Sequence, residues 1–165
     1  MTTLDLDRSA DAGPASATAK PPAGRREALD VYVTLTVGGQ LCGIPVLLVR
    51  DVLGPQTITR IPLAPPEVAG SLNLRGRIVT AIDLRRRLGL EGADIATAMS
   101  IVVEHQGELY SLIVDQVGEV MQLEPGDREA NPPTLAPAWR ALSVGVFRLS
   151  GGLLVALDVP AVLAL

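Results

Sequence analysis

The chain holds one histidine, His105, and one cysteine, Cys42, so Ser–His or Cys–His chemistry would have to run through these two side chains. A general base works from an ordered site beside a nucleophile. Val103-Glu104-His105-Gln106-Gly107 instead reads as a hairpin turn open to solvent. Cys42 follows Leu41 and precedes Gly43-Ile44 in a strand-like run, the setting of a small buried hydrophobe. With one Cys and one His, an internal disulfide, a cysteine-based zinc site and a multi-His metal site are all excluded, and no cofactor is implied. Asp83 and Asp158 could by type form an acid–base pair. They occupy equivalent positions of an internal repeat, at strand ends, which points to a shared turn or cap role. No glycine-rich phosphate loop of the Walker or dinucleotide kind is present. Arg85-Arg86-Arg87 are consecutive, so on a helix they splay around the axis and read as a solvated face. The remaining feature is Gly70-Ser71-Leu72-Asn73-Leu74-Arg75-Gly76, a polar loop bracketed by glycines that leads into the aliphatic run Arg77–Ile82. An arginine there can present its planar fork to a carboxylate or to carbonyls on a partner.

Composition narrows the classes further. The chain has 165 residues, 48% hydrophobic and 19% charged, enough for one globular core or two small lobes. Its formal charge is −4, a poor basis for binding nucleic acid, and Lys20 is the only lysine. Two Tyr, one Trp and one Phe leave the core aliphatic and offer no row of aromatics for base stacking. Met1–Ala10 contains Asp5, Asp7 and Arg8 with no apolar stretch behind a basic start, and apolar runs such as Leu153–Leu157 fall far short of about 20 residues. These features predict a soluble intracellular protein.

The elements that must position Arg75 follow from periodicity. Residues 1–28 are rich in Ala, Pro, Gly and Ser and predict a disordered tail; residues 29–165 form the folded domain. Val31, Val33, Leu35 and Val37 alternate with polar residues before Gly38-Gly39, which predicts a strand and a tight hairpin turn. A second apolar run covers Leu41–Val49, and further strands are predicted at Arg77–Ile82, Met99–Glu104, Glu108–Val114, Val144–Leu149 and Leu153–Leu157. Leu84–Leu90 could form a short helix closed by Gly89. The chain also repeats itself. A shift of 68 places Gly39 on Gly107, Leu41 on Leu109, Val46 on Val114 and Asp51 on Glu119. A shift of 75 places Gly70 on Gly145, Ala81 on Ala156 and Asp83 on Asp158. The expectation is an all-β fold of two similar lobes with approximate two-fold symmetry and a binding groove at their seam.

Thr59-Arg60-Ile61-Pro62, Ala64-Pro65, Gly70, Asn73-Leu74-Arg75-Gly76-Arg77-Ile78-Val79 and Ile82-Asp83-Leu84-Arg85 together resemble the signature of CheW-like chemotaxis coupling proteins. Leu35–Gly39, Val49–Val52 and Leu112–Val120 extend the resemblance, which covers roughly Leu29 to Leu165. It implies two SH3-like five-stranded barrels with short helical segments between strands. The implied role is a non-catalytic adaptor between the cytoplasmic tip of methyl-accepting chemoreceptors and the regulatory domain of the histidine kinase CheA. The location would be cytoplasmic, at receptor arrays through its partners, with no direct membrane insertion. Position by position, Val49, Asp51, Gly70, Asn73 and Arg75 match the family's receptor-contacting residues, and Val33 and Val46 match apolar positions that face the kinase. Asp51 stands where a glutamate is common, and residues 127–138 depart from the family pattern. Three other readings stay open: a coupling protein of a non-chemotaxis receptor–kinase pathway, a detached kinase regulatory domain, and a small β-barrel hydrolase using His105.

Overall fold

The structure, a computed structural model, describes residues 30–165; the tail read over residues 1–28 lies outside the described residues. Among the described residues ten strands run in chain order: β1 (Asp30–Val37), β2 (Gln40–Pro45), β3 (Val49–Leu53), β4 (Val68–Leu74), β5 (Arg77–Asp83), β6 (Met99–His105), β7 (Glu108–Val114), β8 (Gln116–Leu123), β9 (Ser143–Leu149) and β10 (Gly152–Leu157). Short helices α1 (Leu84–Arg87), α2 (Pro137–Ala141) and α3 (Val159–Leu163) lie between and after them. One five-stranded sheet has the order β9-β10-β2-β1-β8 and the other β3-β6-β7-β5-β4. This is the predicted all-β architecture of two five-stranded units. The two-residue turns Gly38-Gly39, Arg75-Gly76 and Gln106-Gly107 all have positive φ at both positions, the primed geometry that matches strand twist.

The repeat is real, but its copies do not each make one unit. Ala81 pairs with Ser111 across the parallel β5–β7 ladder, and Ala156 pairs with Gly43 across the parallel β10–β2 ladder. Passing from the first pair to the second adds 75 to one residue and subtracts 68 from the other. Each sheet therefore takes a hairpin from one copy and three strands from the other. Burial follows the same exchange. Leu72, Val79, Ala81 and Ile113 form a core inside the second sheet's unit, and Phe147, Leu154, Ala156 and Tyr32 form one inside the first. The largest core joins both sheets, with Val33, Leu35 and Ile44 packed in one cluster with Ile101, Val103 and Leu112. Aliphatic side chains thus fill the interior of the seam between the two sheets.

Three local readings change with the structure. The stretch from Gly70 is strand as far as Leu74, so only Arg75-Gly76 is a turn; Leu72 points inward and Asn73 outward, a pattern that the glycines and polar residues obscure. The run Leu41–Val49 breaks after Pro45 into a 3₁₀ turn over Val46–Leu48 before β3 begins. The arginine triplet is not simply a solvated face. Arg85 Nη1 lies 2.8 Å from Asp115 Oδ2, and Asp115 also accepts the Gly38 N–H at 2.8 Å, which joins α1 to the crossover between the sheets. Arg87 donates to the carbonyls of Val162, Ala161 and Ala164 at 2.8–2.9 Å and so closes the C-terminal end of α3. Asp83 and Asp158 are the N-caps of α1 and α3, the shared role that their equivalence implies.

Arg87→Ala leaves three helix-end carbonyls without their charged donor and should lower the unfolding free energy by about 1–3 kcal/mol. Urea denaturation checks this, and a loss under about 0.5 kcal/mol would mean that water replaces the guanidinium. Cys42 is buried, and burial pushes its thiol up to about 12. At pH 8 only about one thiol in ten thousand would be ionised, so a chromogenic disulfide reagent should label Cys42 only as fast as the chain unfolds. Rapid labelling of the native protein would contradict that.

Candidate functional site

The site is built at the open edges of the second sheet. β3 and β4 are its two outer strands, and the chain between them returns to β4 through Thr59, which exchanges two 2.8 Å backbone hydrogen bonds with Ser71. Gly70 permits that crossing. Its φ is +149, and a Cβ there would lie 2.1 Å from the Thr59 carbonyl oxygen, so no other residue fits. Gly145 repeats the arrangement beside Glu129 in the second copy.

Arg75 is presented by the turn that follows. Its φ of +50 is unfavourable for a side-chain-bearing residue, and Asn73 steadies the turn by accepting the Gly76 N–H at 3.0 Å. Arg75 Nη2 reaches 2.8 Å from Asp51 Oδ2 on β3. The pair spans the two edge strands where the sheet curls towards closure. The contact is an ion pair rather than an aligned hydrogen bond, so Oδ2 receives no N–H along its bond direction; Oδ1 accepts the Val52 N–H at 2.9 Å. Arg75 is 75% exposed and Asp51 23%, which limits the pair's contribution to stability to under about 1 kcal/mol. Its consequence is orientation: one nitrogen rests on Asp51 while the rest of the fork faces solvent.

The five residues matched to the receptor contact all lie on or directly after the two outer strands of one sheet, in different capacities. Arg75, Asp51 and Asn73 form the polar group. Gly70 is buried behind them, and Val49 is half-buried against the main core. Ile78, 72% exposed and paired with Asn73 across β4–β5, adds an apolar surface that the sequence reading did not single out. An isoleucine in an aliphatic run gives no sign of facing outward; its cross-strand partner Asn73 was the available signal. Val33 is buried in the main core and Val46 packs against it, while Leu47 beside Val46 is 83% exposed. His105 ends β6 beside its hairpin turn, paired with Glu108 in the ladder, and its imidazole has no hydrogen-bond or ion-pair partner among the described residues, so no nucleophile–base pair forms there. No group of His, Cys, Asp and Glu able to hold a metal ion occurs among the described residues. No helix among them is long and apolar enough to cross a membrane.

Two interlocked five-stranded units thus carry a fixed arginine–carboxylate pair near an exposed aliphatic side chain, with the architecture of a small double β-sheet domain. Comparison with known proteins gives its family. Residues 31–165 match the family model of the CheW-like domain. The "Chemotaxis protein CheW" of Rhizobium meliloti is 26% identical over 131 residues, covering 79% of this chain and 84% of that protein. The protein of the same name from Treponema pallidum is 26% identical over 132 residues, covering 77% and 78%. The crystal structure of the scaffolding protein TtCheW from Thermoanaerobacter tengcongensis superposes with a TM-score of 0.71 at 28% identity, covering 79% of this chain and 89% of that one. The chain belongs to the CheW-like domain family.

Proposed function

We propose that this chain is a chemotaxis coupling adaptor that holds a methyl-accepting chemoreceptor and the regulatory domain of the histidine kinase CheA in one assembly. The observation that carries the reading is the Arg75–Asp51 pair. A positive-φ turn, the Asn73 bond and the Asp51 carboxylate all constrain one arginine whose remaining donors are exposed. Fixing a side chain in advance reduces the entropy lost on binding, which is a sensible use of a strained turn. The receptor tip would supply a carboxylate or carbonyls to Arg75 and apolar side chains to Ile78 and the half-buried Val49. The kinase would dock on the side marked by Val33 and Val46, where Leu47 supplies the exposed aliphatic group. Such partners place the protein in the cytoplasm, at the inner face of the membrane that carries the receptors. The names of the matched relatives, chemotaxis proteins and a scaffolding protein, support the same role.

A capture experiment tests the proposal. The purified chain, used as bait in an extract of its own cells, should retain a chemoreceptor and a CheA-like kinase as its main prey. Retention of neither, or of a kinase from an unrelated receptor pathway, would overturn it.

A further inference from the structure

The second copy of the repeat is longer than the first, chiefly at one place, and a cleft opens in the shorter copy there. The shift between copies is 68 at Val52 and Val120, 70 at the bridging residues Thr59 and Glu129, and 75 at Gly70 and Gly145. The five additional residues of the second copy fall between Glu129 and Gly145. There the five-residue α2 forms, and Leu135 and Trp139 pack against the main core. The first copy has no helix in the matching segment, and a cleft of about 730 Å³ lies between that segment, α1 and Gly92–Ile95.

The cleft is lined by two arginines with unspent donors. Arg60 is exposed and has no hydrogen-bond or ion-pair partner among the described residues. The Arg86 side chain is half exposed, and its Nε approaches Asp83 Oδ2 only to 3.9 Å. Asp83 is the one acid in the lining among the described residues, and it is already satisfied: its carboxylate accepts the N–H groups of Arg85, Arg86 and Ala93 and is almost wholly buried. Gly92 makes room for the Arg86 guanidinium, since a Cβ there would lie 2.8 Å from Nε and Nη2. The lip is apolar. Ile61 is 41% exposed, and Leu63 is fully exposed with a φ of +64, a conformation that costs a leucine strain.

We infer that this cleft is a second docking site, separate from the Arg75 turn, for an acidic–apolar peptide segment of a partner protein. Arg60 and Arg86 hold its carboxylates, and Ile61 and Leu63 take its aliphatic side chains. Positive charge in a cleft of a chain whose net charge is −4 selects carboxylates locally, and the volume suits a few side chains. An amide-resolved NMR titration of the full chain with the peptide Gly-Leu-Glu-Leu-Glu-Gly tests this. The amides of Ile58–Leu63 and Gly92–Ile95 should shift. Binding should weaken at least tenfold with the Gln-for-Glu peptide, with succinate in place of peptide, and in the double variant R60Q/R86Q. Gly92→Ala, which displaces the Arg86 side chain without touching the core, should weaken it at least threefold, and Arg75→Ala should leave it unchanged. Absence of shifts, equal binding of the Gln peptide, equal binding of succinate, or shifts that move to Asn73–Arg77 would each overturn the inference.

Discussion

Replacing Val79 by aspartate is expected to unfold the whole chain and not merely the unit that contains it. Val79 is fully buried on β5 and packs with Leu72, Ala81 and Ile113, where nothing polar waits for a carboxylate. Burying that group without a partner costs several kcal/mol, against a total stability of about 5–15 kcal/mol for a domain of this kind. The exchange of hairpins spreads the damage. The second sheet's unit takes β6 and β7 from the same copy that supplies β8, β9 and β10 to the first, and the largest core bridges both. Trp139, on α2 beside the first sheet, is a distant reporter of this loss. Its fluorescence and the far-UV circular dichroism should both show an unfolded chain in Val79→Asp. A native Trp139 signal with half of the strand signal lost would show that the two units fold independently.

Arg75→Ala is expected to weaken receptor binding at least tenfold, equivalent to about 1.4 kcal/mol. The range is set by environment: truncating one member of a desolvated charge pair costs about 2–5 kcal/mol, whereas an exposed pair at a rim costs under about 1 kcal/mol. Arg75 lies near the exposed end when unbound, so the expected loss measures how far the receptor removes it from water. Arg75→Lys should restore only part of the affinity, because it keeps the charge and loses the fork. Folding should change little in either variant, since the Asp51 contact contributes little to stability. Calorimetric titration with a receptor-tip fragment reads the affinities, and thermal unfolding verifies the fold. An Arg75→Ala protein that binds as tightly as the parent would remove Arg75 from the contact.

Much of this was written locally in the sequence. Gly38-Gly39 and the Asp83 and Asp158 caps are decided by residues a few positions apart, so residue type and spacing reveal them. The repeat showed that the copies are alike but not how they pair. The same shifts of 68 and 75 fit two self-contained lobes or two that trade hairpins, and only the Ala81–Ser111 and Ala156–Gly43 ladders distinguish these. The packing of the seam is hidden for the same reason: which apolar face meets which is a tertiary fact. Arg85 and Arg87 read as solvated because their partners, Asp115 and the end of α3, lie 30 and more than 70 residues away. At the site, Arg75 stood out by its turn, whereas its pairing with Asp51 depends on the sheet curling until its two edges approach.

If one chain joins two partners through separate surfaces, all three should assemble together. The parent protein, a receptor-tip fragment and the kinase regulatory domain should co-sediment as one ternary species. With Arg75→Ala the kinase domain should remain bound while the receptor fragment sediments free. Loss of both partners together in Arg75→Ala, or binding of the two to the parent only in competition, would contradict a coupling adaptor with two separate docking surfaces.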